Sequence, residues 1–145
     1  MIELIKSTIR LNDSICRNGI AQKHLHPLAY MKEFRTIHIN AGRQTGKTQA
    51  MLHLARPRDL IIVHNLDNAD RLRSHNQNCL APIMSVRELI IFSQRQDIIC
   101  DYVWLDEPEQ CMKYQVYSSH SYFNTTLESL IYNKIKANLI IKLGQ

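Results

Sequence analysis

The spacing of apolar and polar positions changes several times along the chain, and each change marks an element. Ile2, Ile5 and Ile9 recur at near-helical intervals, which predicts one or two helices over residues 2 to about 22, interrupted near Asn12-Asp13. His26-Pro27 breaks that pattern, and residues 28–34 follow as a short helix or turn. At Arg35 the period shifts to two: RTIHIN alternates as a strand does. Residues 47–56 then read as a helix stopped by Pro57, which cannot extend the hydrogen-bond ladder. DLIIVH over 59–64 predicts a second strand, residues 67–73 a short helix, and Ile83-Met84 a third strand. Ser85 and Glu88 have capping-box spacing and open a helix through about Gln94. An apolar run over 102–105 predicts a strand over 101–106 buried on both faces. Thr125 and Glu128 form a second capping box, ahead of Leu127, Leu130, Ile131 and Ile135 at helical spacing. NLIIKL over 138–143 is a final buried strand. Strands alternating with helices predict a mostly parallel α/β sheet joined by right-handed crossovers.

At 145 residues, with no repeat, low-complexity stretch or Gly/Ser linker, the chain reads as one domain, with residues 1–34 as a helical N-terminal extension packed on it. No apolar stretch approaches a membrane span and no secretory h-region opens the chain, so the expectation is a cytoplasmic protein (host cytoplasm in a viral setting) without membrane contact. Cys16, Cys79, Cys100 and Cys111 are scattered and read as reduced thiols, neither a disulfide frame nor a zinc site. The net charge of +5 permits nucleic-acid contact without demanding it. Its carriers are loose groups, Arg56 with Arg58, Arg71 with Arg73, and Lys134, Lys136 and Lys142, each read as solvated charge.

The chemistry concentrates in two places. Residues 41–48, AGRQTGKT, stand between a predicted strand and a predicted helix, the setting of a phosphate-binding P-loop. There the backbone N–H groups of Gly42, Arg43, Gln44, Thr45, Gly46 and Gln49 surround an anion and the helix N-terminus adds partial positive charge. Lys47 reaches the β- and γ-phosphates, and the Thr48 hydroxyl ligates Mg²⁺. One position departs from the usual pattern: Ala41 stands where a glycine is expected, with Gly42 following. The second place is DYVWLDE over 101–107, an apolar strand closed by two carboxylates, as in a Walker B motif. Asp106 is expected to hold Mg²⁺ through a water and Glu107 to orient or deprotonate the attacking water. Residues 133–136 read NKIK, and Asp106 is followed by no glycine, so the guanine-reading signals are missing and ATP is favoured by exclusion.

The loop GRQTGKT resembles that of viral large terminases, and the Asp-Glu strand end is shared with them and with superfamily 2 helicases, P-loop ATPases of the additional-strand, catalytic-glutamate group. The likeness implies a P-loop NTPase-like three-layer sandwich with a minimal, truncated core, and Mg-dependent ATP hydrolysis linked to a nucleic-acid process. It also implies that Arg43 acts in cis on the γ-phosphate. By order of elements it covers residues 35–145; residue by residue it covers the two motifs. The chain has no room for a nuclease domain or a helicase's second lobe, so DNA, a protein partner or further copies of itself are the expected company. Two alternatives remain open. One is an ATP-gated binding or inhibitor module with little turnover. The other is a small-molecule (nucleoside) kinase, since thymidine kinases also pair a Gly-Lys-Thr loop with an Asp-Glu strand end. Trp104 is expected in the core, and Tyr114, Tyr117, Tyr122 and Phe123 are expected to pack or to form a protein interface, with base stacking as the alternative.

Overall fold

The computed structural model describes residues 1–113, 115–116 and 125–145; the aromatic group at 114, 117, 122 and 123 lies outside the described residues. Three helices come first, α1 (Ile2–Cys16), α2 (Ile20–His24) and α3 (Pro27–Phe34). The expected break at Asn12-Asp13 does not occur. Both side chains project from α1 to tie down the end of α3: the Asn12 amide donates to the Phe34 carbonyl at 2.6 Å, and Asp13 pairs with Arg35 at 2.9 Å. Engaged there, neither competes for the backbone of its own helix. His26 caps α3, its Nδ1 accepting the Leu28 N–H, with Pro27 in the first helical position.

The α/β body continues with β1 (Thr36–Ile39), α4 (Lys47–Leu54), β2 (Leu60–Val63), α5 (Leu66–His75), β3 (Ile83–Ser85), α6 (Val86–Ser93) and β4 (Ile98–Ile99). It closes with β5 (Tyr102–Asp106), α7 (Pro108–Met112), β6 (Gln115–Val116), β7 (Thr125–Thr126), α8 (Leu127–Asn133), β8 (Ile135–Lys136) and β9 (Leu139–Leu143). The capping box at Ser85 and Glu88 is complete in both directions. The one expected at Thr125 is not the helix start, because Thr125 lies in β7 and α8 begins at Leu127. Helix α8 also stops earlier than its apolar spacing suggests, since Ile135 leaves it to pair with Ile98 in a small parallel ribbon. Helix α4 stops at Leu54, short of the expected Arg56, because the Asp59 carboxylate takes the Arg56 N–H at 2.9 Å and turns the chain.

Five strands form one sheet in the order β1-β9-β5-β2-β3, with every neighbouring pair parallel. On one face Ile37, Ile39, Ile61, Val63, Trp104, Ile141 and Leu143 pack against Ile5 of α1, Met51 of α4 and Leu72 of α5. On the other, Leu60, Ile62, Val103, Leu105 and Ile140 pack against Leu89 of α6, Cys111 of α7 and Leu130 of α8. The result is the three-layer α/β arrangement that the alternation of elements predicts. Trp104 is a core residue, 1% exposed. At the amino end of the sheet the buried Asp59 carboxylate locks β2 to β5, accepting the Tyr102 N–H and the Trp104 indole N–H, each at 3.2 Å.

Candidate active site

Because all five strands of the sheet run the same way, the loops after β1 and β5 leave from the same edge. The register sets their spacing. Leu143 is the pairing partner of both Ile39, at the end of β1, and Asp106, at the end of β5. The two strand ends are therefore level and two inter-strand steps apart, about 9.5 Å. Alternation along β5 puts Asp106 on the same face as Trp104, the face that α4 covers. There its carboxylate accepts the Thr48 hydroxyl at 3.1 and 3.3 Å, across 58 residues of sequence.

The loop of residues 40–46 has left-handed backbone at every second position: Gly42 at φ 77°, Gln44 at 55° and Gly46 at 75°. Alternation of handedness turns successive N–H groups to one side and forms an anion-binding concavity. It also accounts for Ala41. The turn that an initial glycine would make is made one residue later, by Gly42. Gln44 pays the steric cost of left-handed backbone without being glycine, a strain that persists only where surrounding structure imposes it. Behind the loop, Lys47 opens α4 and is 7% exposed. Its ammonium donates to the Gly42 carbonyl and, among the described residues, has no ion pair. A buried cation held by one neutral carbonyl is a group suited to an anion.

Asp106 has its carboxyl raised above the usual aspartate value, first by burial and further by the neighbouring Glu107, while the Thr48 hydroxyl pulls it back. A cation binding there competes with a proton at higher pH than it would at an exposed aspartate. The pair Thr48–Asp106 supplies a hydroxyl and a carboxylate, hard oxygen donors of the kind that suit Mg²⁺. Among the described residues no cluster of three or more His, Cys, Asp or Glu forms an all-protein metal cage.

Glu107 has left-handed backbone, φ 51° and ψ 68°, although it precedes a proline. The end of β9 and the residues after it hold it. The Glu107 N–H donates to the Leu143 carbonyl at 2.9 Å, and its carboxylate accepts the Gln145 N–H at 3.3 Å. Gly144, at φ 103°, passes so close that an added Cβ would stand 2.8 Å from that carboxylate. His38 of β1 is within hydrogen-bond distance of the Gly144 carbonyl, 2.6 Å through Nε2.

A cleft of about 820 Å³ runs over these groups. It gathers every residue singled out from the two motifs except Asp106, which lies beneath it against Thr48: Gly42, Arg43, Gln44, Thr45, Gly46, Lys47, Thr48, Gln49 and Glu107 all line it. Arg43 is exposed at its mouth. Asn40 and Gln145 also line it, as do four residues that the sequence does not mark as part of the site: Arg71, Glu109, Gln110 and Lys113. Nothing local marks Arg71, on α5, as different from Arg73. Gly144 has a weak signal, a glycine directly after a buried strand. No protein-family model, curated protein or solved structure matches the chain.

Proposed function

We propose that this chain binds MgATP in the cleft above Lys47 and hydrolyses it, in a cytoplasmic setting and in the service of a nucleic-acid process. The observation that carries the reading is the Thr48–Asp106 contact at 3.1 Å, which joins the halves of the two motifs. The sheet order supports it as well, since β9 stands between the loop strand and the acidic strand, an inserted strand such as the additional-strand ATPases are named for. Thr48 and Asp106 would hold magnesium, which would supply neutralisation of the phosphates' negative charge. The N–H groups of residues 42–46 and the Lys47 ammonium bind and orient the phosphate chain. Glu107, restrained by Gln145, orients the attacking water and takes its proton.

Lys47→Ala is expected to weaken MgATP binding about 100-fold or more, from the loss of a buried charge-assisted contact. Isothermal titration of both proteins with ATP measures it, and unchanged affinity sinks the site. Gly144→Ala tests the restraint on Glu107. Its methyl group displaces the carboxylate, so kcat should fall about 100-fold while ATP affinity holds. Steady-state hydrolysis beside the same titration separates the two quantities. The nucleic-acid link rests on the motif resemblance and the +5 charge, and its test is stimulation of hydrolysis by single- or double-stranded DNA.

A further inference from the structure

Arg71 and Arg73 look alike in sequence, and the fold separates them. Arg73 is fully engaged: its guanidinium reaches the Ile83 carbonyl at 3.0 Å, Asp70 at 3.2 Å and Glu88 at 2.6 Å. It fastens α5 to β3 and α6. Arg71 is exposed, lines the cleft, and has one long side-chain contact, to the Asn68 amide oxygen at 3.4 Å. No carboxylate pairs with it among the described residues.

Its side of approach follows from the sheet order. Helix α5 leaves the carboxyl end of β2, and β2 is the neighbour of β5 on the side away from β9 and β1. The loop strand β1 is at the sheet edge, so a phosphate chain seated over Lys47 with its metal at Asp106 points inward, toward β5 and β2. Arg71 therefore meets the end of the phosphate chain that lies nearest Glu107, the terminal phosphate.

We propose that Arg71 is a catalytic residue: a guanidinium supplied in cis from α5 that contacts the γ-phosphoryl group of ATP, in addition to Arg43 of the loop. The proposal rests on the nucleotide reading above. In the step concerned, the water oxygen forms a bond to the γ-phosphorus and Glu107 takes the water's proton. The bond from phosphorus to the β–γ bridging oxygen breaks, and its electron pair stays on ADP. Negative charge grows on the equatorial and bridging oxygens, where a second guanidinium is worth more than in the ground state.

The test uses the whole chain, with Arg71→Ala, Arg71→Lys, Arg73→Ala and Lys47→Ala compared in ATP hydrolysis, ATP binding and binding of ADP with fluoroaluminate. For Arg71→Ala the expected result is a kcat loss of about 100-fold with KM little changed, and a matching loss for ADP–fluoroaluminate but not for ADP. Arg71→Lys should recover part of both. Arg73→Ala should lower the thermal midpoint and leave kcat near wild type. Arg71→Ala with unchanged kcat, in a series where Lys47→Ala abolishes ATP binding, overturns the role of Arg71 and leaves the nucleotide site standing. Lys47→Ala with unimpaired ATP binding overturns the site reading and this proposal with it. So does a wild-type chain that binds ATP without turning it over, as far as catalysis is concerned.

Discussion

Glu107→Gln is expected to stop ATP turnover while MgATP still binds. The substitution keeps the shape of the side chain and an oxygen able to accept the Gln145 N–H, so the restraint on position 107 survives. It removes the ability to take a proton. General-base catalysis by a positioned side chain contributes about 10²- to 10⁴-fold, so kcat should fall about 1,000-fold. Binding should hold or tighten, because the groups facing the phosphates, Lys47 and the N–H groups of residues 42–46, are untouched. Hydrolysis and titration on one preparation decide the matter. If the variant turns over like wild type, Glu107 is not the base. If neither protein hydrolyses ATP but both bind it, the chain acts as an ATP-gated module.

The largest effect on stability should come from Asp59→Ala, at the opposite end of the sheet from the cleft. The Asp59 side chain is fully enclosed and accepts from Tyr102 N–H, Trp104 Nε1 and Arg56 N–H. Alanine leaves the indole N–H in the core with no acceptor and frees the turn that ends α4. Each buried donor left unsatisfied costs about 1–3 kcal/mol, and the Arg56 guanidinium, which is half-exposed, can be solvated instead. A loss of about 3 kcal/mol is expected, a large share of the stability of a domain this size. Urea unfolding should show it as a lower midpoint with an unchanged slope. A loss below about 1 kcal/mol would show that Asp59 is not the clasp between β2 and β5.

Much of this architecture was legible beforehand, for physical reasons that differ by element. The central strands β2, β5 and β9 carry contiguous apolar runs because both faces are covered, while the edge strand β1 alternates, and both patterns stand out in a short window. The loop and the acidic strand end are legible because their chemistry sits on adjacent residues. What the sequence does not display depends on contacts distant along the chain. Asn12 and Asp13 look like helix breakers until Phe34 and Arg35 give them partners. The ribbon of β4 and β8 has two residues per strand, too few to show a period. Arg71 is set apart from Arg73 chiefly by what α6 and β3 bring to the latter. Gly144 is constrained by a carboxylate 37 residues earlier in the chain, at Glu107, which no local pattern reports.

The shared partnership of Leu143 with Ile39 and Asp106 has a mechanical consequence. A strand bonded on both sides cannot slide toward one neighbour without breaking its ladder to the other, so the span between the loop's root and the acidic tip is a fixed gauge. Above that baseplate stand the exposed turn of residues 42–46 and the exposed side chains of Arg71 and Lys113, which line the cleft from α5 and from the end of α7, and no strand ladder fixes them.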